Sequence, residues 1–340
     1  MTLKRLDEIK LTPLLDTLSL QKINDETYFS SEYKGYISNS RLNLIDPRKN
    51  GSPEKFFEGF KPIYNPSFDL GSYTHQLVLQ KNLFKMVDSV NKPTAKMGML
   101  ADRLYKFYIN NKLNDKHIIN EATTIDYYGG NLNEAKLQNV LEKCIPYWEA
   151  RRHFESTFSR DEQLIYTDKK SRETVLNCVR ALNSNKYIQE LLHPVGLINP
   201  VISENELAIL LDIRVDIPNS KPFTLHFKAK LDNYTIDTDS NTICVNDVKT
   251  LGKILSEFDN NISKFSYNRE IAIYSWLLSL CANKYYNLQN PTVKGNYLVV
   301  STIPQYYTKV VPMTKKMYKE GWEDFKYLIK LVAYYTNELF

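Results

Sequence analysis

The chain has 340 residues, enough to bury a large core, and its length alone suggests about two domains. A formal net charge of +5 and a pI near 8.7 are mildly basic, which admits a polyanionic partner without identifying one. No apolar run approaches the roughly 18–20 residues needed to span a membrane, and the four cysteines (Cys144, Cys178, Cys244 and Cys281) stand too far apart for zinc-type spacing.

The first 25 residues read as polar and irregular, with a short apolar run near Leu11 to Leu20, as in an arm or a partner contact. Arg48 to Tyr64 interleaves cations with aromatics, as does Lys315 to Lys330 near the C-terminus. That composition suits phosphate contact with base stacking, and equally a solvated charged surface. Between His75 and Glu204 the pattern is mostly helical, as in Ala95 to Asn111 and Lys170 to Leu192. Glu206 to Ile217 alternates apolar residues as a half-buried strand, Pro218 to Pro222 is a turn, and Phe223 to Tyr234 reads as the returning strand. Asp237 to Asn241 is the next turn, and Thr242 to Lys249 a third strand. A long helix from about Lys253 to Cys281, strands at Tyr297 to Val300 and Thr308 to Val311, and a helix from Thr314 to Leu339 complete the chain.

Three residues in these strands carry chemistry. Asp247 and Lys249 are alternate residues of one strand and project together, while Val248 points away. Asp232 ends the preceding strand, so the turn between them brings the three to one end of the sheet. Two carboxylates hold a hard cation through oxygen. The cation lowers the pKa of a bound water, and a lysine can position that water for attack. The plainer alternatives are a strand-end turn residue for Asp232 and a solvated edge-strand pair for Asp247 and Lys249. Asp212 and Asp216 read as exposed.

With Tyr36-Ile-Ser-Asn-Ser-Arg-Leu42, Ser52-Pro-Glu-Lys-Phe56 and Leu70-Gly-Ser-Tyr-Thr-His75 upstream, and Tyr267-Asn-Arg-Glu270-Ile-Ala-Ile-Tyr274 downstream, the chain resembles the PD-(D/E)XK nuclease superfamily. Within it the similarity is to the phage RecE-type (exonuclease VIII-like) and RecB-like exonucleases, over roughly residues 28 to 312. The resemblance implies an α/β fold, a restriction-endonuclease-like core with a mixed β-sheet flanked by helices and a helical insertion at about 80–200. It implies opening motifs within 1–60, a nuclease domain over 61–312 and a C-terminal helix at 313–340. It also implies a site of His75, Glu204 or Glu206, Asp232, Asp247 and Lys249, with Glu270 and Tyr274 on one helix face. Glu206 is preferred to Glu204 because it heads the alternating strand. His75, Glu206, Asp232 and Asp247 would be metal ligands, and Lys249, Asp247, Asp232, Glu270 and Tyr274 the catalytic set.

Two departures stand out: the family glutamine is Glu270 here, and a glycine before the aspartate is Ala229. An acid at 270 could add a metal ligand or repel a DNA phosphate. The expected activity is Mg²⁺-dependent exonucleolytic hydrolysis of duplex DNA ends in phage-type recombination, with Mn²⁺ as a substitute cation. The downstream cysteine cluster that holds iron–sulfur in some relatives is missing, so no such cluster is expected. A single-strand annealing protein and further copies of the chain are the implied partners. The scattered thiols point to the cytoplasm, a host's if the chain is phage-encoded. The alternatives are a structure-specific endonuclease of the same fold, and a decayed, nuclease-like DNA-binding or phage structural protein.

Overall fold

The structure is a computed structural model and describes residues 4–59, 66–158, 163–196, 199 and 201–339. Its strands in chain order are β1 (Lys10–Gln21), β2 (Phe84–Asn91), β3 (Gln163–Thr167), β4 (Ile202–Asp216), β5 (Phe223–Asp237), β6 (Thr242–Leu251), β7 (Thr292–Ser301) and β8 (Thr308–Pro312). The chain divides into two compact units, 1–60 with 182–340, and 61–181.

The first unit is mixed α/β, built on a six-stranded sheet in the order β1-β4-β5-β6-β7-β8. The β4–β5 and β5–β6 hairpins are antiparallel, and the apolar alternation of the sequence sets which side of each faces the core. Asp237 closes the second hairpin, its Oδ1 accepting from the backbone N–H groups of Asp239 (3.0 Å) and Ser240 (3.2 Å). Only β6 and β7 run parallel, joined by a helical crossover as parallel pairing requires. The helices Tyr267–Tyr286 and Lys315–Leu339 pack together where Gly321 meets Asn268. A Cβ on Gly321 would lie 2.3 Å from the Asn268 carbonyl oxygen, so only glycine permits this approach.

Three expectations are corrected here. The N-terminal segment is not an irregular arm: Lys10–Gln21 is β1, antiparallel to β4. It is an edge strand with a register shift between Leu14 and Ser19, and Pro13 is tolerated there because one side of the strand has no strand neighbour among the described residues. The single helix from 253 to 281 is two helices, Phe258–Phe265 and Tyr267–Tyr286, separated by Ser266 at φ 58°. The helix over 170–192 is likewise Lys169–Ser184 and Lys186–Leu192, the second capped by the Asn185 side chain accepting from Ile188 N–H at 3.2 Å.

The aromatics of Lys315 to Lys330 do not offer a stacking surface. Phe325 is buried, and Tyr318 and Trp322 pack on the core, with Trp322 5.4 Å from Trp276. Of the other basic and aromatic stretch, residues 60–64 lie outside the described residues. Arg48 is engaged with Asp46 (2.9 Å) and with Asp324.

The second unit is mainly helical: Pro66–Leu79, Ala95–Ile109, Asp115–Thr124, Glu134–Thr157 and most of Lys169–Ser184. Its core gathers Leu100, Leu104, Ile118, Val140 and Trp148, whose indole N–H donates to the Ala101 carbonyl at 2.8 Å. It also holds a short parallel pair, β2 with β3, that periodicity did not predict. Among the described residues of the chain, no helix is long and apolar enough to cross a membrane.

Candidate metal centre at a fork in the sheet

β5 and β6 pair from Asp237 with Thr242 to Asn233 with Asn246, and there the pairing stops. Beyond that point β5 stays with β4 and β6 with β7, so the sheet forks. Ile37 enters the fork, its N–H donating to the His226 carbonyl and its carbonyl accepting from Lys228 N–H, both at 2.8 Å.

Asp232 and Asp247 are the first residues past the last pair, one on each prong, and the register sets them opposite each other. On β4 the register sets Glu206 opposite Asp232, between the pairs Asn205 with Asn233 and Leu207 with Leu231. Directly opposed residues share a face of the sheet. Three carboxylates therefore form a row across three strands. Oxygens of Glu206 and Asp232 approach within 4.8 Å. Glu206 stands at φ 56°, a left-handed conformation inside a strand that is worth about 1–3 kcal/mol of strain.

Two ammonium groups flank the row. Lys249 lies 2.8 Å from Asp247 Oδ2 and donates to Asp247 Oδ1 at 3.1 Å and to Glu270 Oε2 at 2.9 Å, with its charge 4.6 Å from the centre of the Tyr267 ring. Lys230 pairs with Glu206 at 2.9 Å and with Asp25. The Tyr274 hydroxyl donates to Glu270 Oε1 at 3.3 Å, and Val248 N–H donates to Asp232 Oδ2 at 2.8 Å.

Five carboxylates thus face two ammonium ions. Burial pushes the Asp247 carboxyl well above its usual range, and the charges of Glu270 and Asp232 add to the rise while Lys249 opposes it. Burial would lower the Lys249 ammonium, but Asp247, Glu270 and Asp232 together hold it well above its ordinary value, so it keeps its proton. Although Asp247 Oδ2 lies near Lys249, it receives no well-directed hydrogen bond. A buried carboxylate amid excess negative charge, with further carboxylate oxygens beside it, fits a hard divalent cation.

The fork gathers Glu206, Asp232, Asp247, Lys249, Glu270 and Tyr274. Glu204 instead makes a surface ion pair with Lys22 at 3.2 Å. His75 is half-buried on the Pro66–Leu79 helix of the second unit. The sequence reading missed Lys230, Asp25 and Tyr28. Lys230 was findable, because it precedes Asp232 by two on a strand and so shares its face. Asp25 and Tyr28 arrive from a distant helix, Asp25–Tyr28, and carry no local signal. Tyr28 is buried, and burial followed by the charges of Glu270 and Asp25 holds its phenol well above the usual range.

No family model matches this chain, and no curated protein matches it. Among solved structures it is similar to an exonuclease candidate from Eubacterium rectale, with a TM-score of 0.45 and 10% sequence identity over 92% of this chain and 86% of that one. A likeness that low carries no argument, so the chemistry of this chain rests on its own residues.

Proposed function

We propose that the chain is a metal-dependent nuclease that hydrolyses DNA phosphodiester bonds, working from duplex ends through a PD-(D/E)XK-type centre. The row of Glu206, Asp232 and Asp247 with Lys249 beside it carries this reading. These three carboxylates would hold Mg²⁺, or Mn²⁺ in its place, and His75 would join them by its place in the sequence motif. The bound cation supplies a water of lowered pKa and neutralises charge on the phosphate.

The side chains do the positioning. Lys249, fixed between Asp247 and Glu270, directs its remaining N–H to the attacking water. Glu270 serves as the anchor of Lys249, and Tyr274 anchors Glu270 in turn. Lys230 fixes the Glu206 carboxylate.

The test is digestion of end-labelled linear duplex and of closed circular duplex with Mg²⁺, Mn²⁺, Ca²⁺ or EDTA. The linear substrate should be degraded with Mg²⁺ or Mn²⁺ only, and the circle should survive. Cleavage of the circle would make the chain an endonuclease. Inertness on both, with every cation, would overturn the reading in favour of a DNA-binding or structural protein.

A further inference from the structure

On the opposite face of the sheet, one residue from each acid, stands a second row made of asparagines. Asn233 Nδ2 donates to Asn205 Oδ1 at 2.8 Å, Asn246 Nδ2 to Asn233 Oδ1 at 2.8 Å, and Asn296 Nδ2 to Asn246 Oδ1 at 2.9 Å. The row crosses four strands, and each donor and acceptor are register partners. Asn233 and Asn246 are fully buried, and Asn246 also donates to the Leu191 carbonyl at 3.0 Å. Each acid of the opposite row is the sequence neighbour of a ladder residue: Asn205 with Glu206, Asp232 with Asn233, Asn246 with Asp247.

We infer that this asparagine ladder is the register lock of the metal centre, its members being positioning residues for Glu206, Asp232 and Asp247. The inference rests on the metal-centre reading above. Apolar alternation alone cannot do this work. It forbids a slip of one residue, which would turn the wrong face inward, but a slip of two keeps every side chain on its own face. After such a slip one apolar pair still forms, Tyr234 on Ile243 in one direction or Ile236 on Val245 in the other, and the second is lost to Asn241 or Asp247. The ladder opposes it further. A slip of two between β5 and β6 sets Asn233 against Cys244 or Val248 and leaves buried amides unpaired, at about 1–3 kcal/mol each. The same slip sets Asp232 against Val245 or Lys249, and the carboxylate row is lost. A buried asparagine that fixes register at some expense of stability is a known device in helical pairs, and here it acts on strands.

The test is Mn²⁺ titration by calorimetry, with thermal unfolding measured in parallel, on four proteins: wild type, Asp247→Ala, the double variant Asn233→Val with Asn246→Val, and Asn205→Val. Removing both central amides avoids orphaning one against the other and keeps β-forming side chains. The double variant should unfold cooperatively yet bind Mn²⁺ at least about tenfold more weakly, the scale of loss when groups that orient metal ligands are removed. Should it fail to fold, Asn205→Val, at the ladder's end, should weaken binding about threefold or more by the same mechanism. Wild-type affinity in the folded ladder variants, whatever their melting temperature, overturns the ladder's role and leaves the metal centre standing. Wild-type binding no tighter than that of Asp247→Ala overturns the metal centre itself, and the ladder's role with it.

Discussion

Two clusters of charge are buried side by side in the first unit, and neighbouring residues of one helix feed them. Arg269 is fully buried and meets Asp324 at 3.1 Å and Asp46 at 3.6 Å, while its guanidinium donates to Asn39 Oδ1 (2.7 Å) and Asn43 Oδ1 (2.5 Å). Arg48, largely exposed, completes the set from the surface, so that two guanidiniums face two carboxylates. Glu270, one residue along, joins the acid-rich fork. The first cluster is balanced in charge and rich in hydrogen bonds, as a structural ion pair must be to offset its desolvation. The second has too much negative charge for its cations. Imbalance of that kind, kept inside a well-packed sheet, is what the proposed cation would offset.

The sharpest way to break this contrast is Lys249→Ala. It should lower the hydrolysis rate by about 10²–10⁴, in the range for loss of a group that positions the reacting water, while duplex binding measured by anisotropy changes little. Wild-type turnover would remove Lys249 from the mechanism. Next comes Arg269→Met, which leaves Asp46 and Asp324 to Arg48 alone. Urea unfolding should show about 3–5 kcal/mol of lost stability, and a loss below 1 kcal/mol would place Arg269 among ordinary packing residues.

The pH dependence separates the clusters further. The folded Asp247 carboxyl sits above its unfolded value of 3.8, so the folded state binds the proton more tightly. Its contribution to stability is full below pH 3.8 and is lost as pH rises through the raised folded value. Metal-free protein should therefore lose stability over that window, and Mg²⁺ should restore it at the upper end. Asp247→Asn should flatten the dependence, and an unchanged slope in thermal melts across pH would contradict the assignment. The smallest effect is expected for Glu270→Gln. Because Glu270 holds Lys249 and Tyr274, the Mg²⁺ concentration for half-maximal rate should move by less than about tenfold, or 1.4 kcal/mol. A larger shift would make Glu270 a direct ligand.

The strands β4, β5 and β6 were readable because each alternates with period two, and the same period told which residues share a face with Asp247. Three things were not readable. β1 has leucines without clean period-two alternation and carries Pro13, features that an edge position excuses but that look irregular in a window of sequence. The break at Ser266 hides in a helical pattern, since nothing around it but the backbone reveals the left-handed turn. The pairing of Lys230 with Asp25 joins residues far apart in the chain, and only the folded sheet brings them together. Charge balance was equally hidden, because it is a property of the assembled fork and not of any one segment.

The division of the chain bears on the order in which it is made. Residues 61–181 are contiguous, so the second unit can close as soon as they have left the ribosome. The first unit is split by that insertion: β1 must wait for β4, and the acid at 206 for those at 232 and 247. Until then the N-terminal sixty residues have no sheet to join. Synthesis therefore delivers the helical insert before β4, β5 and β6, and the long sequence separation of β1 from β4 delays the pairing of that edge.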